Sequence, residues 1–140
     1  MAVRRSIFLF VTCPDCLSIF DLTYLPIEDR DTSIKHVTEA LERIKSNIEK
    51  VVPNIRITPR LDAGKLQISE NKVDIKIEVN LVNRGALTEP KEMPLCEKAQ
   101  HEFEVFCTIP VVSLGQLFGG KIVAALDRQH PRDLFDVKYL

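Results

Sequence analysis

The chain has 140 residues, 45% of them hydrophobic and 28% charged, with a formal net charge of -1. That length suits one domain spanning residues 1–140, able to bury about two thirds of its unfolded surface without disulfide or metal staples. The near-neutral balance excludes a strongly basic nucleic-acid module while leaving room for a local basic patch, and no apolar run reaches the ~18 residues that cross a bilayer.

In chain order, residues 6–12 and 17–25 are rich in β-formers and read as strands separated by a Cys13-Pro14-Asp15-Cys16 turn. The first apolar stretch follows Arg4 and Arg5, but it is short, and Pro14 and Asp15 stand where a signal peptide needs small residues for cleavage. The expected location is therefore the cytoplasm. Pro26 ends the second strand, and a charged loop covers residues 28–30.

Ile34, Val37, Leu41, Ile44, Ile48 and Val51 recur at three- and four-residue spacing, which predicts an amphipathic helix capped by Asp31 or Thr32 and closed by Pro53-Asn54. Strands are predicted at residues 55–58, 65–69 and 73–80. In the last, Val73, Ile75, Ile77 and Val79 alternate with Asp74, Lys76, Glu78 and Asn80, so one face is apolar and the other polar. Asn71 suits a turn and predicts a hairpin between these two strands.

Residues 81–100 read as a loop with a short helix at 96–101, and residues 103–109 as a further strand. Ser113 caps a predicted helix running to Arg128, inside which Gly119-Gly120 suggests close backbone packing. Pro131 suits the first turn of a last helix over residues 132–139. There are no internal repeats.

Four groups of residues carry potential chemistry. Asp21 lies on a strand, and two carboxylates spaced by two on one strand hold metal ions and a triphosphate together; here the upstream position is Ile19. Glu78 is a second carboxylate on a polar strand face. Lys121 and Arg128 lie two turns apart on one helix face, where they can present positive charge to phosphates. Arg132, Asp133 and Asp136 follow, with Arg132 and Asp136 also spaced to pair with each other. Taken alone, each of these is also what a solvated surface looks like.

Cys13 and Cys16 have the spacing of half a zinc site or of a redox pair, but Cys96, Cys107, His101 and His130 do not supply the matching half. Gly119-Gly120-Lys121 lacks the leading glycine and the trailing Ser or Thr of a phosphate-binding loop.

The segments Val112-Ser113-Leu114-Gly115-Gln116-Leu117-Phe118-Gly119-Gly120-Lys121 and Ala124-Ala125-Leu126-Asp127-Arg128-Gln129-His130-Pro131-Arg132-Asp133-Leu134-Phe135-Asp136 resemble a known pattern. It is the helix with one lysine, then Arg, then Arg-Asp-x-x-Asp, of the AbiEii nucleotidyltransferase family, which includes the MenT-like toxins of toxin–antitoxin systems. Asp21-Leu22-Thr23-Tyr24-Leu25-Pro26 resembles the end of the family's Ser-x-Asp-x-Asp strand, and Ile75-Lys76-Ile77-Glu78-Val79-Asn80 its acidic strand.

The resemblance implies an α+β fold, a nucleotidyltransferase-like mixed β-sheet flanked by helices. It also implies transfer of a nucleotide from an NTP, with magnesium, to an RNA acceptor, notably tRNA. Asp21 and Glu78 would bind metal. Lys121 would contact the triphosphate, Arg128 and Arg132 would bind substrate, and Asp133 and Asp136 would position Lys121 or the acceptor. An antitoxin protein is implied as a partner; a homo-oligomer is a further expectation, and with no apolar run long enough to cross a bilayer no membrane is expected.

Residues 1–18 do not resemble the family, whose Gly-Ser turn is missing, and the chain stops where the family continues into a helical region. Truncation at both ends, with the opening residues drawn from another reading frame, is the expectation from these departures. With Ile19 in place of a carboxylate, the alternative expectation is an inactive member, a non-catalytic interaction or dimerisation remnant of the fold.

Overall fold

Alternation along the strands decides which side of the sheet is buried, and the helix that covers it follows from the same arithmetic. The computed structural model describes residues 7–11, 19–70, 73–82, 85–95, 97–131 and 138. In it β1 (Ile7–Val11), β2 (Ile19–Tyr24), β3 (Arg56–Arg60), β4 (Lys65–Glu70) and β5 (Val73–Val79) form one sheet in the order β1-β2-β5-β4-β3. β2 and β5 are parallel, and the other neighbours are antiparallel. A parallel pair needs a crossover, supplied here by α1 (Arg30–Val51) and the β3–β4 hairpin. The fold is thus the mixed-sheet α+β arrangement that the sequence predicts.

Leu22 and Tyr24 of β2, Leu66 of β4 and Val79 of β5 share one face and form the core with Val37 and Leu41 of α1. Leu41 and Leu66 are completely buried. Each such side chain contributes about 1.5–3 kcal/mol relative to exposure, which fixes α1 on this face. The opposite face carries the alternate residues and is the polar one.

The expected cap of α1 is corrected by two residues. Asp29 is the N-cap, its carboxylate accepting from the Thr32 backbone N–H at 2.9 Å. Arg30 and Asp31, expected in a loop and as a cap, lie in the first turn, where an acidic group also favours the helix dipole. The buried Ser33 donates its hydroxyl to the Asp29 carbonyl at 2.7 Å.

Tyr24, 2% exposed, donates to Glu28 Oε2 at 2.8 Å, and His36 Nδ1 lies 3.0 Å from the same hydroxyl and 2.9 Å from Glu28 Oε2. This cluster satisfies a polar group inside the core and ties the end of β2 to α1.

The β4–β5 hairpin forms as predicted, with Glu70 opposite Val73; its turn residues Asn71 and Lys72 lie outside the described residues. β3 and β4 make a second hairpin through a 3-10 turn, Leu61–Ala63. Gly64 closes that turn at φ 66, and a Cβ there would stand 2.9 Å from the Val79 carbonyl oxygen, so only glycine fits.

The region after β5 is less well anticipated. β6 (Lys91–Pro94), in a stretch read as loop, pairs with β7 (Thr108–Val111) as a separate two-stranded sheet. The short helix α2 (Glu97–Phe103) extends past its expected end. Phe103, assigned to a strand from the sequence, is therefore helical, and the strand begins only at Thr108. Glu104 at φ 49 breaks the helix, and β7 exists because β6 lies beside it, a non-local cause that local propensity does not report.

α3 (Leu114–Arg128) is capped by the Ser113 hydroxyl, as predicted. A Cβ at Gly119 or Gly120 would meet nothing within 4 Å, so the expected close packing at this pair is absent among the described residues. The predicted last helix over residues 132–139 falls largely outside the described residues, as does the Cys13–Cys16 turn. Among the described residues no helix is long and apolar enough to cross a membrane.

Candidate active site

The polar face of the sheet acquires its chemistry through strand register. Asp21 on β2 is directly paired with Glu78 on β5. Register partners on parallel neighbours project to the same side, about 4.8 Å apart. Two carboxylates that are 57 positions apart in sequence thus become neighbours on the face opposite α1. On the far side of Glu78 is its other partner, Lys65, whose Nζ lies 3.2 Å from Glu78 Oε1. Arg60 follows in the same row on β3. The row therefore reads Arg60, Lys65, Glu78, Asp21 across four strands.

α3 supplies the opposite wall. A cleft of about 440 Å³ separates it from the end of β2 and is lined by Asp21, Thr23, Asn80, Lys121, Asp127 and Arg128 among others. Of the residues singled out in the sequence, the structure brings Asp21, Lys121 and Arg128 around this one opening. Glu78 is Asp21's neighbour in the sheet but opens on the other side, into a smaller recess of about 160 Å³ with Arg60, Lys65 and Lys76. Arg132, Asp133 and Asp136 lie outside the described residues.

Several residues that shape the site carry no sequence signal. Gln116 holds α3 in place: its Oε1 accepts from Leu87 N at 3.1 Å and its Nε2 donates to the Gly85 carbonyl at 2.9 Å. The same loop is pinned to the end of β2 by Gly85 N donating to the Tyr24 carbonyl at 2.8 Å. A glutamine at an ordinary helical position predicts none of this. Asp127 brings a further carboxylate to the cleft, where the sequence pattern singles out only Arg128 beside it. Asn80 accepts from Val82 N at 2.9 Å, shaping the turn out of β5 at the cleft's edge.

Asp74 does not replace the carboxylate missing at Ile19. It is four residues from Glu78 along β5, about 13 Å, and it accepts a hydrogen bond from the Ser69 hydroxyl. Ile19 itself projects from the same face as Asp21, in register with Lys76.

Asp21 and Glu78 offer hard oxygen ligands side by side. That fits a magnesium ion, which one or two carboxylates hold while phosphate and water complete the octahedron. Among the described residues no three His, Cys, Asp or Glu side chains cluster as a self-sufficient cage.

A mixed sheet covered by a helix on one face, with a carboxylate pair on the other of which Asp21 faces a lysine- and arginine-bearing helix, is the layout of a nucleotidyltransferase-like domain. The family model described as the nucleotidyl transferase AbiEii toxin of type IV toxin–antitoxin systems matches residues 20–140, and the chain belongs to that family. Comparison with curated proteins and with solved structures gave no significant match.

Proposed function

We propose that the chain transfers a nucleotide from an NTP, with magnesium, to an RNA acceptor such as tRNA. The observation that carries this is the pairing of Asp21 with Glu78 on one sheet face, with Lys121 and Arg128 across a cleft from Asp21. In the reaction the acceptor hydroxyl oxygen bonds to the α-phosphorus, the α–β bridging bond breaks, and pyrophosphate leaves while the hydroxyl proton passes to solvent or a base.

Asp21 and Glu78 would hold the magnesium ion, which when bound supplies Lewis acidity to the phosphoryl oxygens. Lys121 and Arg128 take the negative charge of the triphosphate, most of it at the departing pyrophosphate. Their roughly 10.5 Å separation along α3 spans a triphosphate better than a single phosphate. Asp133 and Asp136 act as positioning residues for Lys121 or the acceptor. An antitoxin that covers the cleft and a cytoplasmic location accord with the toxin family.

The test is incubation of purified protein with magnesium, each labelled NTP and total tRNA, beside Lys121→Ala. Label on tRNA with every active NTP, reduced about 100-fold or more by the substitution, is the expected outcome. Folded protein that labels nothing would sink the enzymatic reading.

A second reading, a non-catalytic interaction fold, draws on α3. Leu114, Ile122, Val123 and Leu126 are 54%, 44%, 65% and 72% exposed, an uncovered apolar surface on one helix. A concentration-dependent dimer without transferase activity is the outcome that would favour it.

A further inference from the structure

The recess beyond Glu78 has a composition that the cleft chemistry leaves unused. On the open face, β3 contributes Arg56, Thr58 and Arg60, β4 contributes Lys65, Gln67 and Ser69, and β5 contributes Lys76 between Asp74 and Glu78; beside the Arg56–Ser69–Asp74 row, cross-strand register aligns Thr58, Gln67 and Lys76 in one row and Arg60 and Lys65, with Glu78, in the next. Arg60, Lys65, Gln67 and Lys76 are exposed. Lys65 is paired with Glu78, whereas among the described residues neither Arg60 nor Lys76 forms an ion pair. In a chain of net charge -1, this is a concentrated cationic ledge, set directly beside the paired carboxylates.

We propose that this β3–β4–β5 ledge binds the phosphodiester backbone of the acceptor strand. The proposal rests on the nucleotidyltransferase reading of the adjoining cleft. Phosphoryl transfer requires the attacking and leaving oxygens to be roughly in line. Lys121 and Arg128 draw the departing pyrophosphate toward α3, on one side of the Asp21–Glu78 pair. The acceptor hydroxyl must then arrive from the opposite side, and the surface on that side is the ledge.

Sheet spacing puts Lys65 about 10 Å and Arg60 about 14 Å from the β2 strand that bears Asp21, a reach covered by the first few nucleotides behind an acceptor end. The two rows contain no aromatic side chain, so bases find no stacking platform there. The ledge therefore positions the backbone and does not read sequence. Glu78, bound to Lys65, marks its inner border and keeps the strand's phosphates away from the carboxylates.

The experiment measures binding separately from transfer. A labelled homopolymeric oligoribonucleotide is titrated with wild-type protein and with the Arg60→Gln/Lys76→Gln double variant over a range of salt concentrations. Binding of each NTP with magnesium is measured by calorimetry on the same preparations. Both residues are exposed and make no ion pair among the described residues, so the fold should survive; circular dichroism checks this, and Lys35→Gln/Lys50→Gln on exposed positions of α1 serves as a charge-matched control.

The expected result is an affinity for RNA about tenfold lower in the double variant, with the slope of log affinity on log salt reduced by about 1.4, NTP binding unchanged and the α1 control like wild type. Unchanged RNA affinity, or no RNA binding by folded wild type, overturns the proposal. An equal loss of NTP binding overturns it in favour of a triphosphate subsite, and full competition by polyglutamate in favour of an acidic protein partner. Wild type that transfers no nucleotide, yet binds RNA through these two residues, refutes the enzymatic reading and supports the ledge.

Discussion

Replacing Ile19 with aspartate would place a second carboxylate on β2 two residues before Asp21. The strand rise puts the two Cα atoms about 6.7 Å apart on the same face, with Glu78 beside Asp21 and Lys76 beside the new carboxylate. Ile19 is only half-buried, so losing its side chain forfeits part of the 1.5–3 kcal/mol of a full burial. A cross-strand pair with Lys76 returns about 0.2–1 kcal/mol, leaving a net cost of about 1 kcal/mol that the fold can bear.

The gain should appear in metal use. A neighbour that merely supports a metal ligand is worth about 10–100-fold in affinity, so an added direct ligand should lower the half-saturating magnesium concentration at least about tenfold. The assay is label transfer from NTP to tRNA against magnesium concentration, with direct manganese titration as a readout independent of turnover. Ile19→Asn supplies the shape without the charge and should show no gain. If folded Ile19→Asp has the magnesium dependence and metal affinity of wild type, β2 and β5 do not frame a metal site, and the roles given to Asp21 and Glu78 fail with it.

Leu66→Ala should cost about 3–5 kcal/mol in urea denaturation, because Leu66 is fully buried at the centre of the sheet's core face; a loss under 1 kcal/mol would mean that the core is not built around it. Gln116→Ala removes both hydrogen bonds that tie α3 to the loop at residues 85–87. It should speed hydrogen exchange at Leu87 N–H and weaken NTP binding, with little change in the urea midpoint of the sheet. Exchange at Leu87 as slow as in wild type would show that the loop is held by other means. Hydrogen bonds from the Thr32 side chain and then its amide hold Asp29 below its ordinary value of 3.8. A lowered folded value means that its stabilisation is present above that pH and is lost as pH falls through the folded value. The Tm gap between wild type and Asp29→Ala should therefore close as pH drops below about 3.8; a gap that persists in acid would separate the cap from the carboxylate's charge.

Local pattern alone determined much of this molecule. The stripe through Val37 and Leu41 specified α1 and its buried face, since helical periodicity and burial are two aspects of one geometry. The alternation from Val73 to Val79 specified which side of β5 would carry Glu78, and Ser113 announced the start of α3. The residues Asp21, Glu78, Lys121 and Arg128 were legible through the family resemblance rather than one by one, and the family match over residues 20–140 spans all four.

Tertiary structure decided what those residues are to one another. Nothing local states that β2 lies parallel to β5, yet a slip of one residue in that pairing would send Asp21 and Glu78 to opposite faces. The β6–β7 pair and the Gln116 clamp on α3 also arise from contacts between distant segments, which propensity does not encode. The cationic ledge is the same kind of fact. Arg60, Lys65 and Lys76 are unremarkable charges along the chain and become one surface only when three antiparallel strands align them.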